Sequence, residues 1–253
     1  MTEPGRIRIE GLTKRYGSAT VLDGLSLDVA PGEMLALLGQ SGAGKTTLFR
    51  CIVRLTTADK GAVFVSGGPL HALEGRALAL ARREIGLIFQ QFNLVRRSSA
   101  RDNVLIGQLA RLPTWRVLFR RFARADRQRA LAALDRVGLL QHAYQRADRL
   151  SGGQQQRVAI ARVLAQECRV ILADEPVASL DPATASRVLS LLREVARERG
   201  ITVVCSLHQV DFAHAFADRI VHLSQGRITG DDGAEALPTA ALPKHRPHAP
   251  EQG

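Results

Sequence analysis

Gly39, Gln40, Ser41, Gly42, Ala43, Gly44, Lys45 and Thr46 fit the spacing G-x-x-x-x-G-K-[ST]. Glycines at those places let a loop close around a phosphate, so that backbone N–H groups and the positive end of the next helix point at one anion. Lys45 would then neutralise the β- and γ-phosphates of a nucleotide, and Thr46 would offer its hydroxyl to Mg²⁺. The loop follows the apolar run MLALL and precedes TLFRCIVRL, which is the strand, loop and helix order that this chemistry needs. The chain uses 31 arginines and only 4 lysines, and one of the few lysines stands where a compact point charge on a flexible stem is required.

A second constellation is the run VILA followed by Asp174 and Glu175. A strand buried on both faces has no use for paired acids at its end unless a cation or a reacting water lies there. Asp174 suits a Mg²⁺ shell and Glu175 a base. The third is Leu150, Ser151, Gly152, Gly153 and Gln154, which open the helical run QQRVAIARVLA. A serine and two glycines at a helix start again make an anion-binding arrangement. Two phosphate-binding surfaces on different lobes cannot easily close on one nucleotide within a chain, so a head-to-tail homodimer with two composite sites is expected.

Short apolar runs alternating with helical periods imply α/β architecture. Strands are expected at IRIEGL, SLDVA, MLALLG, AVFV, RVILAD, TVVCS and RIVHLS, a turn at Pro31 and Gly32, and helices over 44–54, over 182–199 and near Val210. Residues 93–150 read as helical throughout and are expected to form an inserted subdomain. From about Asp231 the chain holds four prolines and few large apolar groups, so 231–253 is expected to be disordered and its His245 and His248 to be solvated.

The 253 residues are 45% hydrophobic and 23% charged, which excludes a collagen, a mucin or a wholly disordered chain and permits one large domain with a subdomain. A net charge of +11 favours an acidic partner, nucleic acid or anionic headgroups, without choosing between them. Residues 111–129 carry seven arginines against one acid, Asp126. No run approaches the roughly 18 to 20 apolar residues of a bilayer span, and MTEPGRIRIE lacks the core of a signal peptide, so a cytoplasmic location is expected. Cys51, Cys168 and Cys205 form no C-x-x-C pair and are expected to be buried thiols.

Taken in order, Tyr16, the phosphate loop, Gln90, residues 150–154, Asp174 with Glu175, Ser179 with Leu180 and Asp181, and His208 resemble the motifs of ATP-binding cassette (ABC) ATPases over about residues 6–230. The resemblance implies a P-loop NTPase core of ABC-ATPase type, with an N-terminal antiparallel β subdomain and the inserted α-helical subdomain. It implies ATP and Mg²⁺ as ligands. Tyr16 would stack on adenine, Thr47 would join the phosphate loop, and Gln90 would complete the Mg²⁺ shell and sense a permease. Ser151 and Gly153 of one protomer, flanked by Gly152 and Gln154, would face the γ-phosphate held by Lys45 of the other. Asp181 would lie at the nucleotide, and His208 would bridge the γ-phosphate and the catalytic dimer.

The longer strings FQQFNLV, PTWRVLF, ADEPVASLDP and SLHQVD resemble the ATP-binding subunit of bacterial phosphonate importers. That implies an ATPase peripheral to the cytoplasmic face of the inner membrane, with permease subunits and, indirectly, a periplasmic solute-binding protein as partners. Ser98 and Arg101 replace residues that are usually apolar beside the permease groove, and the tail lacks the usual helical ending. The competing expectation is an ABC ATPase acting on nucleic acid or the ribosome, which the charge would suit. Against it, residues 45–151 hold no long heptad insertion and the chain holds one cassette, so no nucleic acid is expected.

Overall fold

The computed structural model describes residues 3–89, 92–119, 121–178 and 180–233. In chain order its elements begin with β1 (Ile7–Tyr16), β2 (Ala19–Val29), β3 (Met34–Leu38), α1 (Lys45–Ile52), β4 (Lys60–Val65), β5 (Gly68–Pro69), α2 (Gly75–Arg82) and β6 (Ile85–Ile88). There follow α3 (Ala100–Gly107), α4 (Thr114–Leu118), α5 (Arg124–Arg136) and α6 (Gly152–Gln166). The α/β alternation then resumes with β7 (Val170–Ala173), α7 (Pro182–Arg199), β8 (Thr202–Leu207), α8 (Val210–Phe216), β9 (Arg219–Ser224) and β10 (Arg227–Asp232).

One sheet is antiparallel in the order β2-β1-β4-β5, and the other has the order β10-β9-β3-β8-β7-β6, parallel except where β10 turns back on β9. The central strands read as unbroken apolar runs because both faces are covered. Met34, Ala36 and Leu38 of β3 point into a core shared with α5, α6 and α7, whereas Leu35 and Leu37 point into a second core shared with α1 and the antiparallel sheet. The period of two of a strand thus glues a helical layer to one face and a β layer to the other.

Four elements escaped the periodicity: α2, which buries none of its residues, the two-residue strand β5, the edge strand β6, and β10. Residues 93–150 are less uniformly helical than their pattern implies, since α3, α4 and α5 are short and separated by loops. The apolar faces of α3 and α5 close against α6, as Val104, Leu105, Ala130, Leu134, Val158 and Ile160 share one core. Asp231 and Asp232, counted with the tail by composition, instead end β10. They pair with Val221 and Ile220, and Arg219 holds the Asp231 carboxylate at 2.6 and 2.5 Å. An edge strand needs only backbone partners and one ion pair, neither of which composition registers. The remainder of the tail, with His245 and His248, lies outside the described residues. The three cysteines are buried, and burial pushes the Cys51 and Cys168 thiols up to about 11.

Candidate nucleotide site

The phosphate loop leaves the carboxyl end of β3 and enters α1 through Gly44, whose φ of 107° is open to glycine alone at no steric cost. A Cβ at Gly44 would lie 2.9 Å from the Val21 carbonyl oxygen, and one at Gly39 would lie 2.5 Å from that of Leu223. The glycines are therefore demanded by close approach of β2 and β9 as well as by any ligand. No side chain caps α1, and its first internal bond runs from Leu48 N–H to Gly44 C=O at 2.8 Å. The amides of Lys45, Thr46 and Thr47 are thus presented at an open, positive helix end. Thr46 is exposed and Thr47 half-buried.

Lys45 is only 4% exposed. Its ammonium donates to the carbonyls of Gly39 at 2.6 Å and Gln40 at 3.2 Å, and lies 3.8 Å from Glu175 Oε1. Burial lowers its pKa, and the charges of Glu175 and Asp174 oppose that shift. A cation held by two loop carbonyls is the arrangement expected of a group poised to take an anionic ligand into the same cradle.

Three neighbouring parallel strands bring the acids and the histidine to this loop. In the order β3-β8-β7, the ends of β7 and β8 carry Asp174 with Glu175 and His208 to the edge where β3 ends. Ligands of open α/β sheets bind at such carboxyl ends. Asp174, 6% exposed, accepts from Ser206 Oγ at 3.0 Å, and its amide donates to Ile88 C=O at 2.8 Å. Glu175 adopts a φ of 49°, rare for a residue with a side chain, and its amide donates to Ser206 Oγ at 2.8 Å. Its Oε1 lies 2.5 Å from His208 Nε2.

Ser206 holds both acids and was missed by motif reasoning. Its signal is a hydroxyl next to the end of the otherwise apolar run VVCSL, where a buried polar atom needs a partner. Ser206→Ala strips one partner from Asp174 and one from the Glu175 amide. We expect a loss of about 1–3 kcal/mol in urea unfolding together with slower ATP turnover. Unchanged unfolding and turnover would show that the serine holds nothing of consequence.

The other expected residues are placed as follows. Tyr16 ends β1 and is 48% exposed, with Lys14 Nζ over its ring at 5.3 Å from the centroid. Ser151 caps α6: its Oγ accepts from Gln154 N–H at 3.3 Å, while Gln154 Oε1 accepts from Ser151 N–H at 2.9 Å. Because Oγ is the acceptor there, its own O–H remains available to donate. A Cβ on Gly153 would lie 3.4 Å from Leu180 and 3.6 Å from Thr184, so the turn at 151–153 rests on the start of α7. Asp181 caps α7 through Thr184 N–H at 3.0 Å, and the Thr184 side chain first, then this backbone bond, depress its pKa. Among the described residues, no hydrogen bond or ion pair joins 151–154 or Asp181 to the phosphate loop. Gln90 and Ser179 lie outside the described residues. Arg101 pairs with Asp102 at 2.9 Å and lies over the Tyr144 ring, while a groove beside α3, bordered by Ile106 and Gly107, is lined by neither Ser98 nor Arg101.

Residues 22–178 match the family described as ABC transporter, and the chain belongs to that family of ATP-binding cassette ATPases coupled to transport. It is 48% identical over 225 residues to the hypophosphite import ATP-binding protein HtxD of Stutzerimonas stutzeri, covering 89% of this chain and 66% of that one. It is 47% identical over 237 residues to the phosphonates import ATP-binding protein PhnC of Wolinella succinogenes, covering 93% of this chain and 86% of that one. Among solved structures it resembles the dimeric bacterial ABC transporter cassette MJ0796, with a TM-score of 0.82 and 33% identity, covering 90% of this chain and 98% of the other. A post-hydrolysis state of that cassette, bound to ADP and Pi, gives a TM-score of 0.79 and 34% identity over 90% of this chain and 98% of that one.

Proposed function

We propose that this protein is the ATP-hydrolysing subunit of an importer for phosphonate or a related phosphorus oxyanion, working as a head-to-tail dimer on the cytoplasmic face of the inner membrane. The observation that carries the hydrolytic part is the convergence of Lys45, Glu175 and His208 beside an uncapped helix end. The solute is supported by the names of the curated relatives above.

Lys45 exchanges its loop carbonyls for the β- and γ-phosphate oxygens, and the amides of 44–47 fill the remaining acceptor directions. The donor set fits a hard, oxygen-loving cation: Thr46, Asp174 and, by resemblance, Gln90 would hold Mg²⁺, which neutralises charge on the β- and γ-oxygens. Ser206 keeps Asp174 oriented for that task. Glu175 accepts the proton of the attacking water, and His208, within hydrogen-bond reach of its carboxylate, orients it and donates toward the γ-phosphate. Tyr16 stacks on the adenine. Ser151 and Gly153 of the second protomer close over the γ-phosphate, the serine donating the proton its capping bond leaves free.

The permease partner is supported by a groove of about 410 Å³ lined by Val53, Leu55, Leu87 and Ile106 together with Arg162. Burial lowers the pKa of Arg162, whose only described partners are the carbonyls of Asn93 and Phe92. An amphipathic helix carrying an acidic residue fits such a surface.

Ser151→Arg is expected to leave ATP binding by the monomer nearly intact while preventing closure and hydrolysis, because a bulky cation fills the space across the interface. Collapse of nucleotide binding in the monomer would show that both phosphate-binding surfaces serve one nucleotide. For the solute, deletion of the gene is expected to abolish growth on methylphosphonate as sole phosphorus source. Undiminished growth and uptake would remove the assignment.

A further inference from the structure

Five positions in α4 and the turn after it leave three large apolar side chains in water: Trp115, Leu118 and Phe119 are 53%, 76% and 67% exposed. The spacing of three and four residues places them on one helical face. The turn itself is held, since Phe119 N–H donates to Trp115 C=O at 3.1 Å, Arg121 N–H donates to Arg116 C=O at 2.8 Å, and Phe122 packs inward on the core. This is therefore an apolar knuckle projected from a fixed base.

The arginines around it are unevenly neutralised. At the two ends of the basic segment, Arg111 pairs with Glu167 and Arg129 with Asp126. Between them the described arginines are Arg116, Arg121, Arg124 and Arg127, Arg120 lying outside the described residues, and among the described residues none of these four has a carboxylate within 4.0 Å. Arg124 and Arg127 moreover lie at the N-terminal end of α5, where the helix dipole opposes positive charge. Arg116 stacks 5.4 Å from the Trp115 ring centroid, at the border of the apolar face. An apolar tip carrying a tryptophan, ringed by unpaired guanidinium groups, matches the acyl and headgroup layers of an anionic bilayer surface in both polarity and charge.

We infer that Trp115, Leu118 and Phe119 insert into the interface of an anionic phospholipid membrane while Arg116, Arg121, Arg124 and Arg127 bind its phosphate headgroups. This contact is independent of the transported solute and of the nucleotide site.

Trp115 is the single tryptophan of the chain, so its emission reports this face alone. With vesicles of equimolar phosphatidylglycerol and phosphatidylcholine, the purified full-length protein should show a blue shift and protection from acrylamide quenching, both reversed by salt. Phosphatidylcholine vesicles should produce neither. The triple substitution Arg121→Gln, Arg124→Gln and Arg127→Gln should weaken vesicle binding about fivefold per arginine, the equivalent of about 1 kcal/mol each. Leu118→Asp with Phe119→Asp should abolish the shift while ATP hydrolysis persists, which checks folding. Unchanged wild-type emission with anionic vesicles overturns the inference whatever the variants do. A shift that appears only on adding the solubilised permease, and not on lipid, assigns the face to a protein partner and overturns it equally.

Discussion

Lys45→Ala should reduce ATP hydrolysis to background and weaken nucleotide binding. The ammonium is buried, lies 3.8 Å from Glu175, and is held by the carbonyls of Gly39 and Gln40, so a charge is already placed inside the loop before any phosphate arrives. Backbone amides supply dipoles and cannot replace a full charge on the β- and γ-oxygens. Loss of one preorganised donor of this kind costs about 10²–10³ in turnover, and the loss of a full charge should lie at the upper end. Fluorescent-nucleotide titration and phosphate release on the same preparation separate binding from chemistry. Wild-type turnover in Lys45→Ala would remove the assignment of the phosphate loop.

The second large effect separates binding from hydrolysis. Glu175→Gln keeps the size of the side chain and, because the bond to Ser206 comes from the backbone amide, keeps the turn that presents it. It removes the basic carboxylate beside His208 and one of the two charges that oppose the burial of Lys45. Hydrolysis should fall about a hundredfold or more, while ATP and Mg²⁺ still bind. With its γ-phosphate uncleaved, ATP should hold two chains together, giving an ATP-dependent rise in mass by size-exclusion chromatography with light scattering. A variant that stays monomeric with ATP and Mg²⁺ and hydrolyses at the wild-type rate would place the base elsewhere.

What the amino-acid sequence determined by itself is local. The strand, loop and helix order around residues 39–46 follows from an unbroken apolar run and the glycine spacing after it. The start of α7 follows from Asp181 and Pro182, a capping residue and a first-turn proline, and the start of α6 from the reciprocal pair Ser151 and Gln154. The chemical types at the site were legible for the same reason: a buried strand end does not carry two carboxylates without a use for them. Elements that depend on a neighbour rather than on their own pattern were not legible. The short edge strand β6 forms because β7 and α6 cover it, and β10 forms because β9 offers an edge and Arg219 binds Asp231.

The tertiary structure alone decided that residues far apart in the chain share one site. Lys45, Glu175 and His208 meet because β8 lies between β3 and β7, an order that reverses their succession in sequence. Ser206 can bridge Asp174 and the Glu175 amide only from that middle strand. Strand order is set by which apolar faces two packed layers can bury together, which depends on the sum of contacts across the sheet and leaves no mark in the periodicity of any single strand.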